Sequence, residues 1–304
     1  MEDIQASHTI RGTTYAGGHA DPPLRNGERL TLLIDDNLTT ATIAVPLSES
    51  WVETAMAIDV RVGLAAADVT SNDVALISSA EATLLAETHV IVSDVAVVFD
   101  GIGPIAMRTP VRPDGVEDTV VRLLDVGPTA EMLARALLRP FFGITATSFA
   151  TSDESPGAAL AEVVIVDGAA GLATLGSGFQ DDLAKAWFVL TGQALVTHIT
   201  VVGLHALVRG ADAELDALRQ AVAIGHERRR DVRRIVSQRW NIEDRDGLAE
   251  MTNRQRFALT PADRNSLANL VARGTWGSRF GKRLPVFRDS LADDVGGATR
   301  DSVE

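Results

Sequence analysis

The chain contains no cysteine. Disulfides, thiolate metal centres and a cysteine nucleophile are thereby excluded. Lysine is nearly missing as well. Lys185 and Lys282 are the only two, and arginine supplies the other basic side chains. That imbalance reads as the codon bias of a GC-rich genome. Basic charge as a whole is scarce. The 304 residues carry a net charge of −13, with a pI near 4.9, which argues against a nucleic-acid partner. No apolar run reaches the length of a transmembrane helix, so no membrane partner is expected. Met1–Glu28 has no apolar h-region, no basic n-region and no lipid-attachment cysteine. A signal peptide is therefore not expected. The expectation is a cytoplasmic chain with a loosely held N-terminal arm, in which His8 and His19 are solvated.

What is present suits a sizeable fold. At 46% hydrophobic, the chain is long enough for one large domain or two lobes with their own cores. The most informative stretch is Thr119–Gly143. Thr119–Leu124 is an apolar, β-branched strand, and Asp125-Val126-Gly127 reads as a turn. Pro128 suits the first helical position. Met132, Leu133, Ala136, Leu137 and Phe141 recur at helical spacing, and Gly143 ends the run. Free backbone N–H groups at Thr129, Ala130 and Glu131 would make an anion site at the carboxyl end of a buried strand, with the Thr129 hydroxyl as a further donor. Helix capping is the alternative role for Thr129.

The same design recurs along the chain. Arg29–Ile34 is a short apolar strand followed by Asp35-Asp36-Asn37, whose Asn37 offers a donor and an acceptor or makes an Asx turn. Adjacent Asp35 and Asp36 point to opposite sides and need not converge. Asp73–Ile77 is a second strand, with Ser78 and Ser79 at a helix start that either binds a carboxylate or is simply capped. His89 reads as structural. Val90–Phe99 and Ile105–Arg108 are extended around a Gly and Pro cluster, as a crossing between two compact units would be. Ala194–Val202 is the candidate return crossing. Leu160–Val166 is a further strand, ending in Asp167-Gly168-Ala169-Ala170. The polar stretch Thr145–Gly157 reads as an exposed loop.

The last third is helical. Asp212 is an N-cap candidate, and Val232, Ile235, Val236 and Trp240 share one helix face. The basic run His226–Arg234 reads as a solvated helix face. Thr260-Pro261-Ala262-Asp263 is a capped helix start. Alternating strands and helices with small polar residues at strand ends argue for an α/β fold holding a small anion in a cleft.

These residues resemble a known family. Val74-Ala75-Leu76-Ile77-Ser78-Ser79-Ala80-Glu81, Gly103-Pro104-Ile105-Ala106, and Phe179–Trp187 followed by Leu190-Thr191-Gly192 are similar to stretches of chorismate dehydratase, an enzyme of the futalosine route to menaquinone. The likeness covers about residues 29–290. It departs at Asp35-Asp36, at the exchanged Asp167-Gly168, at Ala130 in place of a second hydroxyl, and at His198 and Thr200, where aromatic and apolar residues are usual.

The resemblance implies a two-lobed type II periplasmic-binding-protein-like fold with two hinge strands and an interlobe cleft. The implied division is a flexible arm over 1–28, a first lobe from 29–100 and 200–290, an inserted second lobe over 101–199, and a flexible tail over 291–304. It implies a lyase that dehydrates chorismate to 3-[(1-carboxyvinyl)oxy]benzoate without a cofactor or metal. Asn37 would serve the leaving hydroxyl, and the substrate's own carboxylate would take the proton. Ser78, Ser79 and Thr129 with their helix starts, Ala130 included, would bind the substrate's carboxylates, and Arg108 on the hinge strand would help bind the substrate by offsetting the protein's negative field, or is a surface residue. The sister enzyme that forms dihydroxynaphthoate from a cyclic futalosine derivative, and a cytoplasmic carboxylate-binding protein without chemistry, stay open. So does the oligomeric state, a homodimer included.

Overall fold

The computed structural model describes residues 31–173 and 177–289. The arm expected over 1–28 and the tail expected over 291–304 lie outside the described residues. Two separate sheets organise the chain. The first uses β1 (Thr31–Asp35), β2 (Ala57–Arg61), β3 (Val74–Ser78) and the long β4 (His89–Phe99). The chain then builds a second sheet from β5 (Ala106–Thr109), β6 (Thr119–Leu124), β7 (Ala146–Ala150), β8 (Val163–Val166) and β9 (Phe179–Asp182). It returns to the first sheet through β10 (Leu195–Gly203), then adds the short β11 (Gln255–Arg256) and β12 (Val286–Phe287).

The first sheet has the order β11-β4-β10-β3-β1-β2, with β12 also on β4. Strands β1, β2 and β3 run parallel, while β10 is antiparallel to both β3 and β4. β3 and β10 are buried along their whole length. This explains their near-continuous apolar, β-branched sequences. The second sheet has the order β7-β6-β8-β5-β9.

The helices follow from caps and spacing. α1 (Ala41–Ser48) and α2 (Ser79–Ala82) each follow a strand of the first sheet. α3 (Pro128–Phe142) starts with Pro128 after Gly127. It ends at Gly143, whose φ of 75° is the left-handed cap conformation that glycine adopts without penalty. α4 (Gly168–Leu172) and α5 (Leu183–Thr191) follow β8 and β9, with Asp167 and Asp182 as side-chain N-caps. The last third holds α6 (Leu204–Arg209), α7 (Asp212–Glu227), α8 (Arg229–Arg239), α9 (Arg245–Asn253) and α10 (Pro261–Gly274).

Buried residues from both sheets and the elements on them, Phe99, Ile105, Val163 and Trp187 among them, belong to one continuous apolar cluster. A second cluster covers the other face of the first sheet, around Ile77, Ile91 and Val201. Trp187 is fully buried, so its indole N–H needs a partner. It donates to Ser266 Oγ at 3.0 Å, and Ser266 donates to the Ala194 carbonyl at 2.5 Å. That chain ties α5 and α10 to the entry of β10.

Four local expectations need correction. The stretch Thr145–Gly157 is not all loop, because Ala146–Ala150 pairs in parallel with β6 as an edge strand. An edge strand tolerates the exposed Thr147 and Ser148. The strand expected from Leu160 begins at Val163, after a single 3-10 turn at Ala158–Leu160. Asp212 is not the N-cap of α7. Ala211 holds that position, and Asp212 sits in the first turn, where its charge complements the helix dipole. Finally, the start of α3 does not offer three free N–H groups. Ala130 and Glu131 both donate to the Gly127 carbonyl, at 3.0 and 3.2 Å, because the first turn closes tightly.

Candidate functional site

The strand ends of the two sheets meet at one pocket. Asp35, Asn37, Thr39, Ser78, Thr197 and His198 reach it from the first sheet, and Ile105, Gly127, Pro128, Thr129, Ala130 and Asp167 from the second. It encloses about 20 Å³, room for roughly one water molecule. The two halves are therefore closed upon each other.

Asn37 is held by its own turn. Its Oδ1 accepts from the Thr39 and Thr40 backbone N–H groups at 2.9 and 3.2 Å, and from the Thr39 hydroxyl at 2.5 Å. This is the Asx turn expected of a lone Asn in a loop. The amide nitrogen faces the other way. Asn37 Nδ2 donates to Asp35 Oδ2 at 3.1 Å and lies 3.0 Å from His198 Nε2. The turn thus aims a donor into the pocket.

Asp35 closes the triangle. Its Oδ2 is 3.1 Å from His198 Nε2, and its Oδ1 accepts from the Gly63 and Leu64 N–H groups at 3.0 and 3.1 Å. Both side chains are almost completely buried. Asp36 points away and pairs with Arg239 at 2.9 Å. Burial raises the Asp36 pKa, with the nearby Asp35 charge adding to it and Arg239 working against it.

His198 owes its position to an irregularity in β10. Pairing with β4 skips Thr197, so that Val196 faces Val98 and His198 faces Val97. Such a bulge re-aims the next side chain. Here His198 also stands in register with Ser78 on β3. The Thr197 carbonyl accepts the Thr129 hydroxyl at 3.0 Å. The same hydroxyl accepts from the Ala80 N–H at 3.3 Å. Thr129 therefore joins the start of α3 to both β10 and α2.

Asp167 enters from the second sheet. Its Oδ1 accepts from Gly168 N at 2.6 Å and its Oδ2 from Gly127 N at 3.3 Å. A side chain at position 127 would place its Cβ 3.2 Å from that carboxylate, so glycine suits this approach. Burial drives the Asp167 pKa up. The two N–H bonds and the His198 charge oppose the rise, and Asp35 adds to it.

The structure brings Asn37, Ser78, Thr129 and Ala130 to the pocket and holds Ser79 and Arg108 elsewhere. Ser78 Oγ accepts from Glu81 N at 3.2 Å as the cap of α2. Ser79 donates to the Val196 carbonyl at 2.9 Å. Arg108 lies on β5 and donates to Gln180 and to the Ala170 and Ala173 carbonyls. Sequence reasoning did not single out His198, Thr39 or Asp167 as site residues. The signals that pointed there were a histidine in the mostly apolar run Ala194–Val202 and Asp167 at the end of an apolar strand. Among the described residues no group of three His, Asp or Glu side chains is placed to hold a metal ion. No described helix is long and apolar enough to cross a membrane.

Residues 63–275 match the menaquinone biosynthesis family. The chain belongs to that family. Solved structures extend the likeness to the fold. Protein AF1704 from Archaeoglobus fulgidus superposes with a TM-score of 0.58 at 14% identity, covering 81% of this chain and 97% of its own. The periplasmic aliphatic sulphonate binding protein SsuA from Escherichia coli gives 0.55 at 12% identity, covering 79% and 85%. The alkanesulfonate-binding protein SsuA from Xanthomonas axonopodis pv. citri gives 0.53 at 10%, covering 80% and 90%. No curated protein matches in sequence. This menaquinone biosynthesis family member has the two-lobed fold of periplasmic binding proteins, with β4 and β10 as the strands through which the chain leaves the first sheet and returns.

Proposed function

We propose that the interlobe cleft binds a small cyclic carboxylate carrying a hydroxyl group, and that the reaction is dehydration of chorismate to 3-[(1-carboxyvinyl)oxy]benzoate. The observation that supports this best is the Asn37 amide. Its oxygen is locked in a turn and its nitrogen is aimed into the pocket where the two lobes meet. A donor fixed in this way costs no reorganisation when negative charge develops on a departing oxygen.

In this reading the ring C–O bond breaks with its electron pair going to oxygen, and Asn37 hydrogen-bonds that oxygen as charge grows on it. The adjacent ring carbon loses its proton to the substrate's own side-chain carboxylate, and the C–H electrons form the new ring double bond. Proton and hydroxide together leave as water. Aromatisation supplies the driving force, so positioning and one well-placed donor carry most of the demand on the protein. A cavity of about 20 Å³ does not admit the ring. Binding therefore requires the lobes to part and close again, and Thr129, bonded to both β10 and α2, lies on the seam that opens.

The test is to incubate the purified protein with chorismate and follow the enolpyruvyl benzoate by chromatography. Product above the spontaneous background supports the reading. Tight binding of chorismate without product would make the protein a carboxylate-binding protein. Neither binding nor product would remove chorismate from consideration.

A further inference from the structure

Among the described residues no arginine or lysine lines the pocket between the lobes. Its ionisable side chains are Asp35, Asp167 and His198. A ligand with carboxylates of its own meets two carboxylates there, in a site where charge is poorly screened. The positive charge available to offset them within the lining is a protonated His198.

The bonds around His198 define where that proton goes. The Thr39 and Thr40 N–H groups hold Asn37 Oδ1, so the amide cannot be reversed and its nitrogen must face the imidazole. The Thr39 hydroxyl spends its single proton on Asn37 Oδ1 at 2.5 Å. Toward His198 Nδ1, 3.1 Å away, its oxygen can only accept. Nδ1 therefore carries a hydrogen, and Nε2 is the nitrogen that gains or loses one.

Nε2 lies 3.0 Å from Asn37 Nδ2 and 3.1 Å from Asp35 Oδ2, which are themselves 3.1 Å apart. The two N–H bonds of an amide diverge more widely than two corners of this near-equilateral triangle. One Asn37 N–H therefore points into the triangle, shared by Asp35 and neutral Nε2, and the other points out of it. Protonated Nε2 donates to Asp35 and can no longer accept, so the inward N–H is left to Asp35.

We propose that His198 is the proton-binding counter-charge of the cleft: its protonation places a cation beside the ligand's carboxylates. The inference rests on the reading of the cleft as a chorismate site. The charged groups facing His198 are Asp35 from β1 and Asp167 from the end of β8. Ser78, beside it on β3, and Thr39, before α1, are neutral. A ligand that prefers the imidazolium must take up a proton as it binds, and its affinity must fall as pH rises. The limiting slope is tenfold per pH unit.

Calorimetric titration with chorismate in two buffers of different ionisation enthalpy counts the protons. The expected result is proton uptake on chorismate binding, at most one per site. Uptake should survive Asp167→Asn and vanish in His198→Gln, whose affinity should become independent of pH. A nitrogen-15 NMR spectrum of the unliganded wild type gives a readout that needs no variant to fold, and the neutral His198 ring should be protonated on Nδ1. Chorismate binding without proton uptake, uptake that persists in His198→Gln, or a neutral ring protonated on Nε2 would each overturn the inference while leaving the substrate reading intact. Failure of chorismate to bind in any buffer would overturn both.

Discussion

Asn37 and His198 are 161 positions apart in sequence, yet Asn37 Nδ2 and His198 Nε2 lie 3.0 Å apart. The contact passes over the carboxyl end of β3, the strand that separates β1 from β10 in the sheet. One residue comes from a turn after the first strand, the other from a bulge on the returning strand. The pocket exists because both irregularities open toward the second lobe.

The Asn37 donor should matter more in the transition state than in the ground state. Asn37→Ala is expected to slow chorismate turnover by about 100-fold or more, the range seen for losing one preorganised donor to a developing oxyanion. Its effect on chorismate binding should be several-fold smaller. Removing Oδ1 also leaves the Thr39 and Thr40 N–H groups without their acceptor. Thermal melting should therefore be recorded beside the kinetics, and equal losses in kcat and affinity would deny Asn37 this role.

Thr129 should be a seam residue. Thr129→Val removes a donor to the Thr197 carbonyl and an acceptor for the Ala80 N–H, both buried. The expected cost is about 1–3 kcal/mol. At roughly 2–4 °C of Tm per kcal/mol, this is a visible drop in a melting curve. Thr129→Ser keeps the hydroxyl and should melt close to the wild type. A Val variant with unchanged Tm but weakened ligand binding would make the hydroxyl a ligand donor instead.

Asp167 should cost stability when it is ionised. Its carboxyl is held above the ordinary value of 3.8 chiefly by burial. A group whose folded pKa is raised binds its proton more readily when folded, so above that pKa its charge works against the fold. Stability is regained as pH falls through the folded pKa. Asp167→Asn gives up one of the two N–H bonds at every pH, so its Tm relative to the wild type should be highest at neutral pH and fall toward pH 4. A relative Tm that rises on acidification would contradict the assignment.

Asp263 has the opposite sign. Burial alone would raise it, but hydrogen bonds from Arg256 and Thr260 and the Arg256 charge outweigh burial and lower its pKa below 3.8. Arg256 holds Asp263 at 2.8 Å and also binds Asp100 at the end of β4. A depressed carboxylate contributes stability above its unfolded pKa and loses it as pH falls through the folded one. Asp263→Asn should lower Tm at pH 7 and converge with the wild type as pH falls below the depressed folded pKa. Arg256 is partly exposed, so solvent screening limits Arg256→Ala to a cost of about 1–2 kcal/mol.

Much of the framework was legible because repeated strand, polar turn and helix start is a local pattern. Thr119–Gly143 formed the strand and helix read from it, down to Pro128 at the start and Gly143 at the end. Asn37, Ser78 and Thr129 were legible as strand-end residues, and all three line the pocket. His198 was harder to place. β10 is buried on both faces, so its alternation does not reveal which side chain faces ligand, and the bulge at Thr197 is a pairing property that the strand alone does not encode. Asp167 was visible as a strand-end residue and as an exchanged pair with Gly168, but not that it caps α4 while Gly168 adopts φ 62°. Arg108 shows the converse limit. Its strand was anticipated, but the carbonyls of Ala170 and Ala173 that hold it depend on how α4 packs beside β5.

The most direct measurement is a crystal structure of the protein with 3-[(1-carboxyvinyl)oxy]benzoate. The account predicts the benzoate ring between the two lobes, with the ring carbon that lost its hydroxyl facing Asn37 Nδ2 and the carboxylates beside His198. Product seated on the outer surface, or a ring between the lobes with that carbon turned away from Asn37, would contradict it.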